Sequence, residues 1–241
     1  MNTIKIKKLY KKYGEKLALN DINVEIQQGK LYALLGHNGA GKTTLIKSIL
    51  KLDLNYSGKI EYDINDINKK SLQRYFTYSP ELYYLFEDLT VCEYFEFVKK
   101  VYNITENDNI LEYISIFDLK EKFNSFISTL SNGMKKKVSH ISALFPNTPF
   151  CILDEPFAGL DPIAIYNLKK HIKDTYKRRT YIISTHQLAI LDSINISPQN
   201  IYLVLMNKGK IVFQGSKKEL LIDNRFKNIE NAYISLIRGN K

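Results

Sequence analysis

The chain has 241 residues, 44% of them apolar, with a formal net charge of +10 and a pI near 9.3, enough apolar material for one large or two small globular domains. No apolar run approaches the ~20 residues that cross a bilayer, and the N-terminus, MNTIKIKKLY, lacks the apolar segment of a signal peptide, so a cytosolic chain is expected. Cys92 and Cys151 have no metal-type spacing and read as reduced packing residues, while the basic residues, spread along the chain, fit either a compositional bias or a face toward anionic lipid headgroups.

Ile4 and Ile6 alternate with polar neighbours, and Leu19, Ile22, Val24 and Ile26 mark a second strand ending at the turn Gln27-Gln28-Gly29-Lys30. Between them, Tyr13-Gly14 is either an ordinary turn or an aromatic platform for a base. Leu31 to Leu35 is an apolar run that reads as a buried strand. Gly36-His37-Asn38-Gly39-Ala40-Gly41-Lys42-Thr43 then has two glycines four residues apart followed by lysine and a hydroxyl residue, and Thr44, Leu45, Ile46, Ile49 and Leu50 have the spacing of an amphipathic helix. Strand, loop and helix is the order a phosphate-cradling loop needs. Glycines let backbone N–H groups close on phosphate oxygens at the positive end of the helix. Lys42 adds a point charge for the β and γ phosphates, and Thr43 a hydroxyl for Mg²⁺.

Ser57-Gly58 precedes a strand over Lys59 to Tyr62, Asp63 to Lys70 is a polar loop, and Tyr75 to Tyr78 is a short strand. Character changes at Ser79-Pro80. Thr90 with Glu93, and Thr105 with Asp108, form capping boxes, so consecutive helices run to about Phe145 as an insert. The last begins near Ser131, with Met134, Val138, Ile141, Leu144 and Phe145 on one face and Lys135, Lys136 and Lys137 mostly turned outward. Its start, Ser131-Asn132-Gly133, is either an ordinary cap or an anion site. Phe150 to Leu153 is an apolar strand ending in Asp154-Glu155-Pro156. One acid there can hold Mg²⁺ and a second can orient or deprotonate a water, which together point to nucleotide hydrolysis. Asp161-Pro162 opens a helix through Tyr176, and Tyr181 to Ser184 is a buried strand followed by Thr185-His186. Ile201 to Met206 and Lys210 to Phe213 flank the hairpin turn Asn207-Lys208-Gly209, Ser216 with Glu219 caps a helix, and the remainder to Lys241 reads as helical. Strands alternating with helices around a phosphate loop predict an α/β fold whose parallel sheet is covered on both faces.

The ordered set GHNGAGKT, LSNGM, CILDEP, AGLD and STH resembles the nucleotide-binding cassette of ABC transporters over nearly the whole chain. It is most similar to the bacterial group whose cassette is a separate polypeptide paired with a membrane protein, and whose signature often ends in GMK, as Gly133-Met134-Lys135 does here. The resemblance implies a P-loop (RecA-like) core with an antiparallel β region, residues 1–79 and 147–241, and a helical subdomain, residues 80–146, carrying the signature. It implies ATP and Mg²⁺ as ligands, with Tyr13 stacking on adenine and Gly36, His37, Asn38, Gly39, Ala40, Gly41, Lys42, Thr43 and Thr44 around the phosphates. Asp154 and Thr43 would serve Mg²⁺, Glu155 would be the catalytic base, and His186 would hold the γ-phosphate and the attacking water. Ser131 and Gly133 would contact ATP on the opposite subunit, and Asp161 would cross the dimer seam.

The implied partners are an integral membrane transporter subunit docked on the insert and a second copy of the chain or a homologous cassette, with no specific nucleic acid. The implied place is the cytoplasm, peripheral on the inner face of the membrane. Three positions depart from the family pattern: Asn132 and Met134 replace glycine and glutamine in the signature, and Glu81 replaces the usual glutamine that ligands Mg²⁺. The expected function is ATP hydrolysis driving export of drugs, antimicrobial peptides or lipids. The alternative, carried by the charge of +10, is a soluble ABC-type ATPase in nucleic-acid handling or cofactor assembly.

Overall fold

The computed structural model describes residues 2–64, 72–105, 110–222 and 226–238. Two sheets organise it. In the first, β1 (Thr3–Tyr13) pairs antiparallel with β2 (Lys16–Gln27) on one edge and β4 (Ser57–Asp63) on the other. Ile4, Ile6 and Leu9 of β1 are buried while Lys7, Lys8 and Tyr10 are exposed, as expected of a sheet with one wet face, an irregularity between Ile6 and Leu9 shifting the alternation by one residue. The turn at Gly14 joins the first two strands.

The second sheet is formed by β3 (Leu31–Leu35), β5 (Phe76–Ser79), β6 (Phe150–Asp154), β7 (Thr180–Thr185), β8 (Ile201–Asn207) and β9 (Lys210–Ser216), in the order β5-β6-β7-β3-β8-β9. All pairs are parallel except the β8–β9 hairpin, whose turn places Lys208 and Gly209 at φ 48 and 76, as a type I′ turn requires. β3, β6 and β7 are buried at every position because both faces are covered. Leu31, Ala33, Leu35, Cys151, Leu153, Tyr181 and Ile183 join one core, while Tyr32, Leu34, Phe150, Ile152 and Ile182 join the other, across the sheet.

The second core is closed by β1, β2 and α1 (Lys42–Ile49). The first is closed by α2 (Val91–Tyr102), α3 (Ile110–Ile116), α4 (Asn132–Leu144), α5 (Pro162–Thr175), α6 (Leu188–Asp192), α7 (Lys217–Leu221) and α8 (Ile229–Arg238). Local chemistry sets several boundaries. Thr90 and Glu93 form a reciprocal capping box at α2, Ser216 and Glu219 form another at α7, and Asp161 caps α5 ahead of Pro162. The segment after Ser216 is two helices, with residues 226–228 outside either. The expected Thr105–Asp108 capping box and the polar loop over Asn65 to Lys70 fall outside the described residues.

One expectation is corrected. Lys136 does not turn outward: it is 7% exposed and its Nζ donates to the Glu155 carbonyl at 2.8 Å. Lys136 shares its face of the helix with Ser139 and His140, three and four residues on and both buried, so it points into the protein. Lys135 and Lys137 instead reach Glu87 and Asp161, at 2.6 and 2.7 Å.

Arg179, at the start of β7, is the largest fully buried side chain. Its guanidinium donates to the carbonyls of Ala143 and Leu144, the last turn of α4, and to the hydroxyls of Thr77 and Thr148. It thus satisfies carbonyls that a helix end leaves unpaired and places a cation at the negative end of α4. Arg179→Met should therefore cost about 3 kcal/mol, the sum of a lost dipole contact and of buried carbonyls left with only the Asn147 N–H at 3.4 Å and the Cys151 thiol at 3.5 Å, read as a lowered urea midpoint. An unchanged midpoint would show that α4 does not depend on this clamp.

Candidate functional site

The parallel sheet directs the C-terminal ends of β3 and β6 to the same edge, where open α/β sheets bind ligands. The loop after β3 runs from Gly36 into α1. Its glycines are required by space as well as by turning: a Cβ at Gly36 would lie 2.5 Å from the Met206 carbonyl oxygen, and one at Gly41, φ 108, would lie 2.7 Å from the Ala18 carbonyl oxygen. His37 fixes the loop from outside, its N–H donating to the Tyr233 hydroxyl at 3.1 Å and its Nε2 lying 3.0 Å from Asn207 Oδ1. A cavity of about 390 Å³ opens over the loop, lined by Tyr13, Lys16, Ala18, residues 38–44, Glu81 and Glu155.

Of the two acids at the end of β6, Glu155 lines this cavity and Asp154 is buried beside it. Asp154 is fully buried and accepts from the hydroxyl of Thr43 at 2.8 Å and from that of Ser184. Glu155, 4% exposed, has Lys42 Nζ 3.3 Å from Oε1 and His186 Nδ1 3.0 Å from Oε2, and Oε2 also accepts from the His186 N–H at 3.3 Å. Oε1 accepts no hydrogen bond despite the nearby ammonium, which donates to the Gly36 carbonyl at 2.8 Å. A buried carboxylate oxygen without a donor is an unfilled acceptor facing the phosphate loop.

Among the described residues no three His, Cys, Asp or Glu side chains gather as a metal cage. One hydroxyl and one carboxylate 2.8 Å apart are nevertheless the oxygen donors with which Mg²⁺ sits when phosphates and waters fill the rest of its shell. The residues present fit that ion.

Tyr13 stands at the far side of the cavity, half exposed, its hydroxyl donating to Asp53 Oδ2 at 2.8 Å and Lys11 Nζ lying 4.9 Å from the ring centroid. Lys11 is buried and paired with Asp53. Burial, followed by the Asp53 hydrogen bond, raises the Tyr13 pKa, and the Lys11 hydrogen bond holds Asp53 below the usual carboxylate range. The ring is thus held at rim and face. Neither Lys11 nor Asp53 carries a motif, and only their approach in space marks them.

Sequence reasoning gathered more residues than this cavity does. Gly36 to Thr44, Asp154, Glu155 and His186 come together, with Tyr13 and Glu81 at the rim. Ser131, Gly133 and Asp161 do not line it. Ser131 and Asp161 are exposed, capping α4 and α5 and accepting from the N–H groups of Met134 and Ala164. Sequence reasoning also missed His140, whose ring bridges the end of β5 to the segment after β6: Nδ1 lies 2.8 Å from the Ser79 hydroxyl and Nε2 2.8 Å from the Pro156 carbonyl. Full burial lowers the His140 pKa to about 3, so the ring is neutral, donating to Pro156 and accepting from Ser79.

Residues 19–158 match the family model described as ABC transporter. The bacitracin transport ATP-binding protein BcrA of Bacillus licheniformis is 33% identical over 79% of this chain and 64% of its own length. The lipopolysaccharide export system ATP-binding protein LptB of Haemophilus influenzae is 29% identical over 95% of this chain and 97% of its own. A solved structure of an ATP binding subunit of an ABC transporter superposes with a TM-score of 0.86 at 28% identity, covering 97% of this chain and 99% of that one.

Gly41→Ala tests the loop directly. The added Cβ meets backbone at 2.7 Å with φ 108 to maintain, so nucleotide affinity should fall by at least about tenfold in a titration with a fluorescent ATP analogue. Unchanged affinity would mean that the loop does not cradle the phosphates.

Proposed function

Since this chain belongs to the ABC transporter family and is an ABC ATPase, the ATP-binding subunit of a transporter, we propose that it drives export of a drug, antimicrobial peptide or lipid through a separate membrane subunit. The observation that carries the mechanism is the division of the motifs: Lys42, Thr43 and Glu155 line one cavity, with Asp154 and His186 bonded to Thr43 and Glu155, while Ser131, Gly133 and Asp161 neither line it nor bond to these residues. A second copy, turned head to tail, completes each site by bringing its own Ser131 and Gly133 to the γ-phosphate, with Asp161 at the seam.

In this reading residues 1–79 and 147–241 form the ATP-binding core and residues 80–146 the helical subdomain. Tyr13, fixed by Asp53 and Lys11, stacks on adenine. Backbone N–H groups of residues 36–44 hold the phosphates, and Lys42 exchanges its contacts with Gly36 and Glu155 for the β and γ phosphates. That exchange frees Glu155 Oε1 to take a proton from the attacking water, which His186 positions through its hold on Oε2. Thr43 and Asp154 would hold Mg²⁺, with Glu81 as a further oxygen, and the ion would supply neutralisation of phosphate charge.

The membrane subunit docks beside α2, where Leu82, Tyr84, Phe86, Phe97 and Phe126 expose apolar surface and Phe86 packs edge-on against Phe97 with ring centroids 5.2 Å apart. Among the described residues no helix is long and apolar enough to cross a membrane, so in this reading the passage belongs to the partner. The chain works at the inner membrane face.

Glu155→Gln keeps the shape of the site and removes the base. It is expected to bind ATP with Mg²⁺, hydrolyse it at no more than about a hundredth of the wild-type rate, and sediment as a dimer only when ATP is present. A monomer at tens of micromolar with saturating ATP, or near wild-type hydrolysis, would overturn this reading.

A further inference from the structure

Glu155 has φ 47, a left-handed backbone conformation that a non-glycine residue keeps only when its surroundings impose it. Its own N–H donates to the carbonyl and hydroxyl of Ser184, at 3.1 and 3.0 Å. The next residue, Pro156, has no N–H, so the handles at this point are the carbonyls of Glu155 and Pro156, the first of which also accepts the Ala158 N–H at 3.3 Å. Both are taken by one helix. The Glu155 carbonyl accepts from Lys136 Nζ and the Pro156 carbonyl from His140 Nε2, each at 2.8 Å, and Lys136 and His140 stand one turn apart on α4.

We infer that Lys136 and His140 are positioning residues for Glu155: together they clamp the two consecutive carbonyls after β6 and so fix the turn that aims the Glu155 carboxylate at the cavity. The inference rests on Glu155 being the base. Three further observations support it. Lys136 and His140 are both buried, so water does not compete for these bonds. The neutral His140 ring is itself held by Ser79, whose oxygen lies 2.8 Å from the Ser139 hydroxyl, so the ring cannot rotate without breaking a buried network. Burial pulls the Lys136 pKa below the usual lysine value, against the carboxylates of Glu81, Glu155 and Asp154, which hold it up.

The clamp also has a direction. Its helix begins at Asn132, capped by the exposed Ser131, one turn before Lys136, and ends under the Arg179 guanidinium. Whatever seats the start of α4 against a second copy is therefore connected, through one rigid turn, to the backbone of the base in the same chain. Ser79, two residues before Glu81, ties the same node to the cavity rim.

The test is steady-state ATP hydrolysis by the full chain with Mg²⁺, using Lys136→Met and His140→Leu, which keep the apolar bulk and remove the donor, and Lys136→Arg and His140→Gln, which keep a donor. The first pair should lose about tenfold in kcat with KM for ATP within about twofold, because the phosphate loop is untouched. The second pair should recover several-fold of that loss, and the Lys136→Met/His140→Leu double variant should be little worse than the poorer single, since both act on one turn. Unchanged kcat in Lys136→Met, a matching rise in KM, or no recovery with the donor-keeping residues would overturn the clamp. Should His140→Leu not fold, the Lys136 pair decides by the same criteria. Glu155→Gln, run beside them, separates the two claims: its near-normal hydrolysis overturns the base and the clamp together, whereas its loss beside an unaffected Lys136→Met overturns the clamp alone.

Discussion

Two adjacent acids, Asp154 and Glu155, are buried at the end of a strand in the middle of the protein, and much of the surrounding structure exists to give them partners. Buried polar groups must be met by donors already in place, because water is not there to serve them. Asp154 takes the hydroxyls of Thr43 from α1 and Ser184 from β7; Glu155 takes Lys42 from α1 and His186 from the end of β7. The backbone just beyond them takes Lys136 and His140 from α4. Three elements are therefore positioned by one pair of residues. This explains why the phosphate loop, the acids and the signature helix form one unit although they are far apart in sequence.

In the proposed mechanism the same arrangement divides the chemistry between chains. Lys42 is spent on Gly36 and Glu155 within the chain, and the cavity it faces contains no residue of the signature. The start of α4 instead presents Ser131 outward, with its far end pinned by Arg179. A rod with one buried and one free end suits a part that must report contact with another subunit to a site inside its own.

Features that depend on near neighbours were legible in the sequence. The phosphate loop, the apolar strands β3, β6 and β7, the cap of α2 by Thr90 and Glu93, and the hairpin at Lys208-Gly209 are all set within a few residues, and each is found where its local pattern put it. What was not legible depends on partners brought together by the fold. Arg179 belongs to the basic run KRRT and carries no motif, yet it serves carbonyls 35 and 36 positions away. Lys136 was hidden in a run of three lysines, and its partner is 19 positions distant. His140 carries no motif and its partners are 16 and 61 positions distant, and Asp53, which steadies Tyr13, sits 40 positions away in a loop with no motif. For Arg179, Lys136 and His140, tertiary burial with a matched partner prevailed over a residue type ordinarily found in solvent.

The central claim is that each catalytic site is built from two chains, and mixing two inactive variants tests it most directly. Lys42→Ala removes the phosphate ammonium and leaves the signature intact, while Ser131→Arg blocks the signature and leaves the phosphate loop intact. In a head-to-tail pair of one with the other, one site is wholly wild type and the opposite site carries both defects. The expected result is that each variant alone hydrolyses almost no ATP, whereas an equal mixture recovers up to about a quarter of wild-type activity, half of the dimers being mixed with one good site each. A mixture no more active than its separate components would contradict the claim, because a site contained within one chain cannot be repaired by a partner.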